Sequence, residues 1–158
     1  METAPAPRSR LPRVPHAAKP APGERILKQT SCDLNNGWLG RHGTLYLTDD
    51  RVVFVPTLLD HLLGAKRREI RLEDIRAVER WPISPGDMPR GGKRPRLFVD
   101  TADVRYILLP ADMDGWFDLI QLVFYRRSRE QPGSGRPEFR RTGMENGLLE
   151  TVQSLESD

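Results

Sequence analysis

The sequence has little of what secreted proteins, membrane-spanning proteins and metalloproteins usually contain. Cys32 is the only cysteine, so no disulfide can form within the chain, and a reducing compartment fits. No apolar run approaches the roughly 20 residues that a membrane span needs. The three histidines, His16, His42 and His61, are scattered, and no metal-ligand cluster or nucleophile–base spacing emerges. We therefore expect a non-enzymatic protein with no metal, no cofactor and no transmembrane segment.

The excess of positive charge is also small. The chain has 25 Lys and Arg against 22 Asp and Glu, which gives a net charge of +3. A charge this mild does not require nucleic acid as a partner. Trp38, Trp81 and Trp116 are not interleaved with a dense basic face, so base stacking is not indicated. No specific nucleic acid is expected, and weak RNA association through Arg-rich loops is kept as a minor alternative.

Composition divides the chain into a folded unit with flanking segments. Residues 1–23 are rich in Pro, Ala and Arg, and are predicted to be disordered because they cannot bury enough apolar area. This segment lacks the apolar centre of a secretion signal, so we expect a cytoplasmic protein. The letters QPGSGRP at 131–137 predict a linker over 129–141. The folded unit is expected at 24–128 and an acidic tail at 142–158.

Alternating apolar residues predict about seven strands followed by one helix. The predicted strands are 25–34, 39–47, 51–57, 69–72, 75–83, 96–100 and 104–109. No helical period interrupts them, so an antiparallel meander is expected. From Met113 to Phe124, apolar residues recur three or four positions apart, which predicts an amphipathic helix. Asp112 is expected to cap its first turn.

The second and third predicted strands form a hairpin around residues 48–50, whose Thr and Asp side chains favour a chain reversal. Neighbouring side chains on a strand face opposite ways. On this basis Leu45, Leu47, Val53 and Val55 are expected to share one face of the hairpin.

The order of several short segments resembles the GRAM domain family. These segments are ERIL at 24–27, GTLYLT at 43–48, RVVFV at 51–55 and IRLEDI at 70–75, and the resemblance covers about residues 24–125. It implies the pleckstrin-homology superfold, a seven-stranded, partly open antiparallel barrel with a C-terminal α-helix. It also implies a non-catalytic adaptor that binds membrane lipids, often phosphoinositides, or proteins. Since a fold hosts many functions, the site has to be argued separately.

Basic side chains on the predicted loops are candidates for binding anionic lipid, because ammonium and guanidinium groups can meet phosphate oxygens. Some lie in the first hairpin loop and between the third and fourth strands, and others lie in the loop at 84–96. The latter loop is not the usual ligand rim of the pleckstrin-like fold, and a solvated basic loop is the other interpretation. The candidates are Lys66, Arg67, Arg68, Arg41, Arg90, Lys93, Arg94 and Arg96.

Four leucines lie between the third and fourth predicted strands, at Leu58, Leu59, Leu62 and Leu63. At these spacings they share a face if the segment forms a helical turn. One interpretation is that they cover an end of the barrel core. The other is that they are exposed beside the basic residues at 66–68 and enter the interface of an anionic membrane, which would give reversible binding.

The acidic tail is a second candidate for an interaction surface. Leu148, Leu149, Val152 and Leu155 lie at helical spacing, which predicts a short amphipathic helix that is marginal alone. It would bind another protein through its leucine face, or dock on the domain's own basic surface. The expected partner is therefore anionic membrane lipid or a protein, with a monomer favoured and with transient visits to the membrane surface.

Overall fold

Eight strands and one long helix make up most of the described chain. The computed structural model describes residues 20–36, 39–81 and 95–141. The strands are β1 (Ile26–Asn36), β2 (Leu39–Thr48), β3 (Arg51–Pro56), β4 (Arg68–Arg71), β5 (Ala77–Trp81), β6 (Arg96–Asp100), β7 (Arg105–Pro110) and β8 (Glu138–Arg141). A short helix, α1 (Leu58–Leu62), follows β3, a 3₁₀ turn (Leu72–Asp74) follows β4, and the long helix α2 (Met113–Glu130) follows β7.

The strands form one sheet in the order β4-β3-β2-β1-β7-β6-β5-β8. Every neighbouring pair is antiparallel except β5 with β8, which is parallel. The mainly β class with one long helix after the meander is confirmed. The count of seven strands is wrong, because β8 adds an eighth. Among the described residues, β4 and β8 are the two edges of the sheet.

Helix α2 closes the core, as its apolar period predicts. Trp116, Phe117 and Ile120 are buried in the same cluster as inward-facing residues of β1 to β7. The Trp116 indole N–H donates to Thr30 Oγ1 on β1 at 2.8 Å, so the one polar atom of this ring is satisfied inside the core. Asp112 caps the helix, as expected, by accepting from the backbone N–H of Gly115 at 3.1 Å.

The hairpin of β2 and β3 differs from the expected arrangement of its side chains. Leu45 lies opposite Phe54 and Leu47 opposite Val52, and these residues face the main core. Val53 and Val55 point to the other face, where they contact Tyr46 in a small separate cluster. The prediction that the two valines share a face with the leucines is therefore wrong.

The ends of the folded unit also differ from the predicted boundaries. Residues 129–141, predicted as a linker, begin with the last turn of α2 and end in β8, which pairs with β5. Before β1, the Glu24 N–H donates to the Ala21 carbonyl at 2.9 Å, so a turn occupies the end of the segment predicted to be disordered. Residues 1–19 and 142–158 lie outside the described chain, as does most of the 84–96 loop.

Candidate functional site

The connection from β3 to β4 is built around the short helix α1. Thr57 caps it, since its side chain accepts from the Asp60 N–H at 3.3 Å. Gly64 follows with φ of 89°, a left-handed conformation that suits glycine and ends the helix. The helix α1 between the two strands therefore begins at a polar cap and ends at a glycine.

A buried carboxylate, not an apolar contact, holds α1 against the sheet. Asp60 is 9% exposed, and its Oδ2 accepts from the backbone N–H of His42 on β2 at 2.8 Å. The Thr57 hydroxyl and the Arg41 guanidinium lie at 3.2 Å and 3.7 Å from the carboxylate oxygens. The His42 N–H is the main cause of a lowered pKa of Asp60, so this side chain is charged at neutral pH.

The four leucines of this connection face solvent. Leu58, Leu59, Leu62 and Leu63 are 56%, 68%, 74% and 63% exposed. The segment does form a helical turn, α1, and the interpretation that the leucines cover the core is wrong. Asp60 is the buried residue of the helix, so its inward face is polar and its apolar side chains project outward. An exposed apolar group of this size is typical of an interaction site.

Basic residues line a cleft at the end of the β3–β4 connection. Arg41, Lys66 and Arg68 line one small cleft of about 70 Å³ together with Leu34, Phe54, Gly64 and Ala65. Among the described residues, Lys66 and Arg68 have no ion-pair partner, whereas Arg41 pairs with Asp60. Arg67 is directed elsewhere, because its guanidinium pairs with Glu69 at 2.6 Å. Two cationic side chains beside the leucine group are thus left to meet an external anion. We call the four leucines with Lys66 and Arg68 the leucine-basic surface.

The other predicted site residues are not brought to this surface. Arg96 starts β6 opposite Trp81, on a different pair of strands, and does not line the cleft. Arg90, Lys93 and Arg94 lie outside the described residues, as do the tail positions Leu148, Leu149, Val152 and Leu155. The structure therefore groups three of the eight basic candidates, Arg41, Lys66 and Arg68, in one cleft at the β3–β4 connection.

Sequence reasoning missed Asp60, although the carboxylate of Asp60 holds α1 against the sheet. A local signal was present, because Thr57 precedes Asp60 by three residues and this spacing is typical of a helix N-terminus. The contact with His42 spans 18 positions and carries no local signal.

Metal and membrane-spanning features are absent from the described residues. No group of three or more His, Cys, Asp or Glu side chains in the described ranges could hold a metal ion. Within the same ranges, none of the helices is both long and apolar enough to span a bilayer.

Comparison with known proteins gives a family match over part of the chain and several structures with a similar fold. The family model of the GRAM domain matches residues 16–87. A C-terminal domain of an unknown protein from Leishmania infantum superposes with a TM-score of 0.52 at 18% identity, covering 65% of this chain and 85% of that one. The Vps36 N-terminal PH domain gives a TM-score of 0.46 at 19% identity, with 65% and 78% covered. The hSac2 domain of the human phosphoinositide phosphatase Sac2 gives 0.48 at 8% identity, with 77% of each chain covered. No curated protein sequence matches the chain.

Proposed function

Since residues 16–87 match the model of the GRAM domain, we propose that the chain is a non-enzymatic adaptor that associates peripherally with anionic membrane lipid. Such domains are binding modules for lipids or proteins, and the leucine-basic surface favours the lipid. The observation that carries the proposal is that all four leucines of the β3–β4 connection are more than half exposed while Asp60 holds the connection in place.

The energetics of the leucine-basic surface fit a reversible association. Transferring the exposed leucine surface from water into the membrane interface contributes on the order of a few kcal/mol. Each cation near an anionic surface adds about 1 kcal/mol, and Lys66 and Arg68 have no competing carboxylate within the described chain. Because α1 is already ordered by its cap and by Asp60, little conformational entropy is lost when it inserts.

Vesicle flotation of the full chain tests the proposal. The protein should float with vesicles that contain phosphatidylserine and stay unbound with phosphatidylcholine alone, because the basic residues need anionic lipid. Leu58→Ala with Leu62→Ala should weaken flotation at least tenfold. The matched control is Leu27→Ala with Leu122→Ala, which removes two leucines that are 40% and 46% exposed elsewhere. The control should float like the unmodified protein.

The contribution of charge is tested in the same assay. Lys66→Gln with Arg68→Gln should weaken binding to anionic vesicles roughly 30-fold at low salt, since two cations of about 1 kcal/mol each are removed. Arg126→Gln with Arg129→Gln removes the same charge from exposed positions of α2 and should have a much smaller effect. Flotation that survives both leucine substitutions would rule out insertion of α1. No flotation of the unmodified protein would favour the alternative, a scaffold whose partner is a protein.

A further inference from the structure

A second positively charged region lies at the C-terminal end of α2. There the 3₁₀ turn, the end of α2 and the connection at 131–137 enclose a cleft of about 200 Å³. Three guanidinium groups line it, from Arg76, Arg127 and Arg136, together with Ser134 and Gly135. We call this region the arginine cleft. No part of it belongs to the leucine-basic surface.

The positive charge of the arginine cleft is only weakly compensated. Of the described residues that line it, one is acidic, Glu73, and it already pairs with Arg71 at 2.7 Å. Arg127 donates to the carbonyl of Asp49 at 2.9 Å and lies 3.8 Å from the exposed carboxylate of Asp50. Among the described residues, neither Arg76 nor Arg136 lies within 4.0 Å of a carboxylate. The cleft therefore keeps a local excess of positive charge.

Within the described ranges, Arg136 is held in position by neutral groups and not by a carboxylate. Its guanidinium donates to the Ser128 hydroxyl at 2.6 Å and lies over the ring of Tyr125, 5.8 Å from the ring centroid. These neutral contacts orient the side chain and leave its charge available. Arg127 is similarly fixed by the Asp49 carbonyl. Two of the three cations are thus pre-oriented around the cleft, which reduces the entropy lost when an anion binds.

We propose that the arginine cleft binds a phosphate monoester of a soluble ligand. A phosphate monoester carries a charge of about −1.5 to −2 near neutral pH and has three strong acceptor oxygens. Planar guanidinium groups match such oxygens with two parallel hydrogen bonds, and three arginines suit a dianion better than a single carboxylate. The phosphate is carried either by a phosphorylated serine or threonine of a protein or by a free small molecule.

The position of the arginine cleft argues against a membrane lipid as the source of this phosphate. Arg127 contacts the turn at Asp49 and Asp50, immediately before β3, whereas α1 follows the opposite end of β3. The six residues of β3 span roughly 17–20 Å at about 3.3 Å per residue. We place the membrane across the end of β3 that bears the exposed leucines of α1, which leaves the cleft at the other end in water.

Gly135 offers a way to block the cleft without disturbing the fold. A Cβ atom at this position meets no other atom within 4 Å, and Gly135 is not among the glycines with positive φ. Because Gly135 lines the cleft, Gly135→Glu adds a carboxylate at its wall, and Gly135→Ala is the matched control for the added side chain. Arg136→Gln removes one of the cations, and Arg129→Gln removes a cation from the same end of α2 that does not line the cleft.

The test is titration of the ¹⁵N-labelled full chain, followed by amide chemical shifts. The probes are a blocked peptide containing phosphoserine, the same peptide with serine, and inorganic phosphate. The phosphopeptide should shift the amides of Ser134 and Gly135, and the serine peptide should not. Gly135→Glu and Arg136→Gln should each weaken binding at least tenfold, while Gly135→Ala and Arg129→Gln should leave it unchanged. Should Gly135→Glu fail to fold, Arg136→Gln carries the test.

The comparison between probes identifies the source of the phosphate. Tighter binding of the phosphopeptide than of inorganic phosphate supports a phosphorylated protein partner, and equal binding supports a free phosphate compound. The proposal is overturned if millimolar phosphopeptide shifts none of these amides, or if the shifts persist in both cleft variants. If Arg136→Gln abolishes flotation with anionic vesicles, the cleft binds a membrane lipid and not a soluble ligand, and the proposal is also overturned.

Discussion

Glu24 connects the segment before β1 to the turn between β2 and β3. Its side chain is only 5% exposed, and Oε1 accepts from the Thr48 hydroxyl at 2.6 Å and from Arg51 Nε at 2.8 Å. Arg51 also pairs with Glu69 at 2.8 Å. The hydrogen bonds from Arg51 are the main reason that the pKa of Glu24 falls from its ordinary value of 4.5 to about 2.

The first prediction concerns Glu24→Gln. A carboxylate whose pKa is lower in the folded protein stabilises it above the unfolded pKa, and this contribution is lost as the pH falls from about 4.5 towards 2. At pH 7 the substitution should reduce the free energy of unfolding by roughly 1–3 kcal/mol, because it removes charged hydrogen bonds from a nearly buried pair. Urea denaturation of both proteins at pH 7 and at pH 3 measures this difference, which should be smaller at pH 3.

The control for this prediction is Glu73→Gln, which neutralises a carboxylate that is 60% exposed and paired with Arg71 on the surface. It should change the free energy of unfolding at pH 7 by less than about 0.5 kcal/mol. Equal effects of Glu24→Gln and Glu73→Gln at pH 7 would contradict the assigned role of Glu24.

At the scale of single residues, the sequence singled out the four leucines of the candidate site but did not determine whether they are buried or exposed. The spacing of Leu58 and Leu62 is compatible with a helical turn, and it is equally compatible with burial and with exposure. The outcome was decided by Asp60, whose carboxylate faces the sheet and turns the leucines outward. That choice depends on a backbone N–H of β2, so it arises only when the strands are assembled.

At the scale of elements, the strand positions followed from local alternation, but the side-chain faces of the β2–β3 hairpin did not. Taking residues 48–50 as the turn places Leu45 opposite Val53. The structure instead pairs Leu47 with Val52, so the turn contains only Asp49 and Asp50. Because side chains alternate with a period of two, this shift of one residue moves Val53 and Val55 to the other face. Turn length therefore has to be known before the faces can be assigned.

Strand β8 is the element that the sequence did not indicate. It has only four residues, three of them charged, and it follows a stretch rich in Gly, Ser and Pro. Its place in the sheet depends on one aromatic side chain, because Phe139 contacts the rings of Phe117 and Phe124 at 5.8 Å and 5.9 Å between centroids. A single apolar residue gives no period, so the anchoring of this strand is visible only in three dimensions.

The second prediction tests this anchoring with Phe139→Ala. The substitution removes two edge-to-face ring contacts and part of the core surface, and should lower the free energy of unfolding by roughly 1–3 kcal/mol. Arg140→Ala on the same strand changes an exposed side chain and should cost less than about 0.5 kcal/mol. If chemical denaturation finds both variants as stable as the unmodified protein, the segment 138–141 behaves as a linker and not as a strand.

At the scale of the whole molecule, the two charged regions lie at opposite ends of β3. The leucine-basic surface follows Pro56, whereas the arginine cleft contacts the turn before Arg51 through Arg127. This separation allows one end to contact a membrane while the other meets a soluble partner. An adaptor requires two such independent surfaces, so the separation of the two regions supports the proposed role.

The third prediction is the orientation of the protein on anionic vesicles. Nitroxide labels are attached in separate proteins at Leu59→Cys, near the centre of the leucines, and at Ser134→Cys, in the arginine cleft. Cys32 is 2% exposed and should react little with the label.

When vesicles are added, the label at 59 should become more accessible to oxygen and less accessible to a water-soluble nickel chelate, because oxygen concentrates in lipid and the chelate does not. The label at 134 should keep its accessibility to both, because it lies roughly one strand length from α1. A gain in oxygen accessibility at 134 alone would reverse the proposed orientation, and unchanged accessibility at both labels would remove the membrane contact.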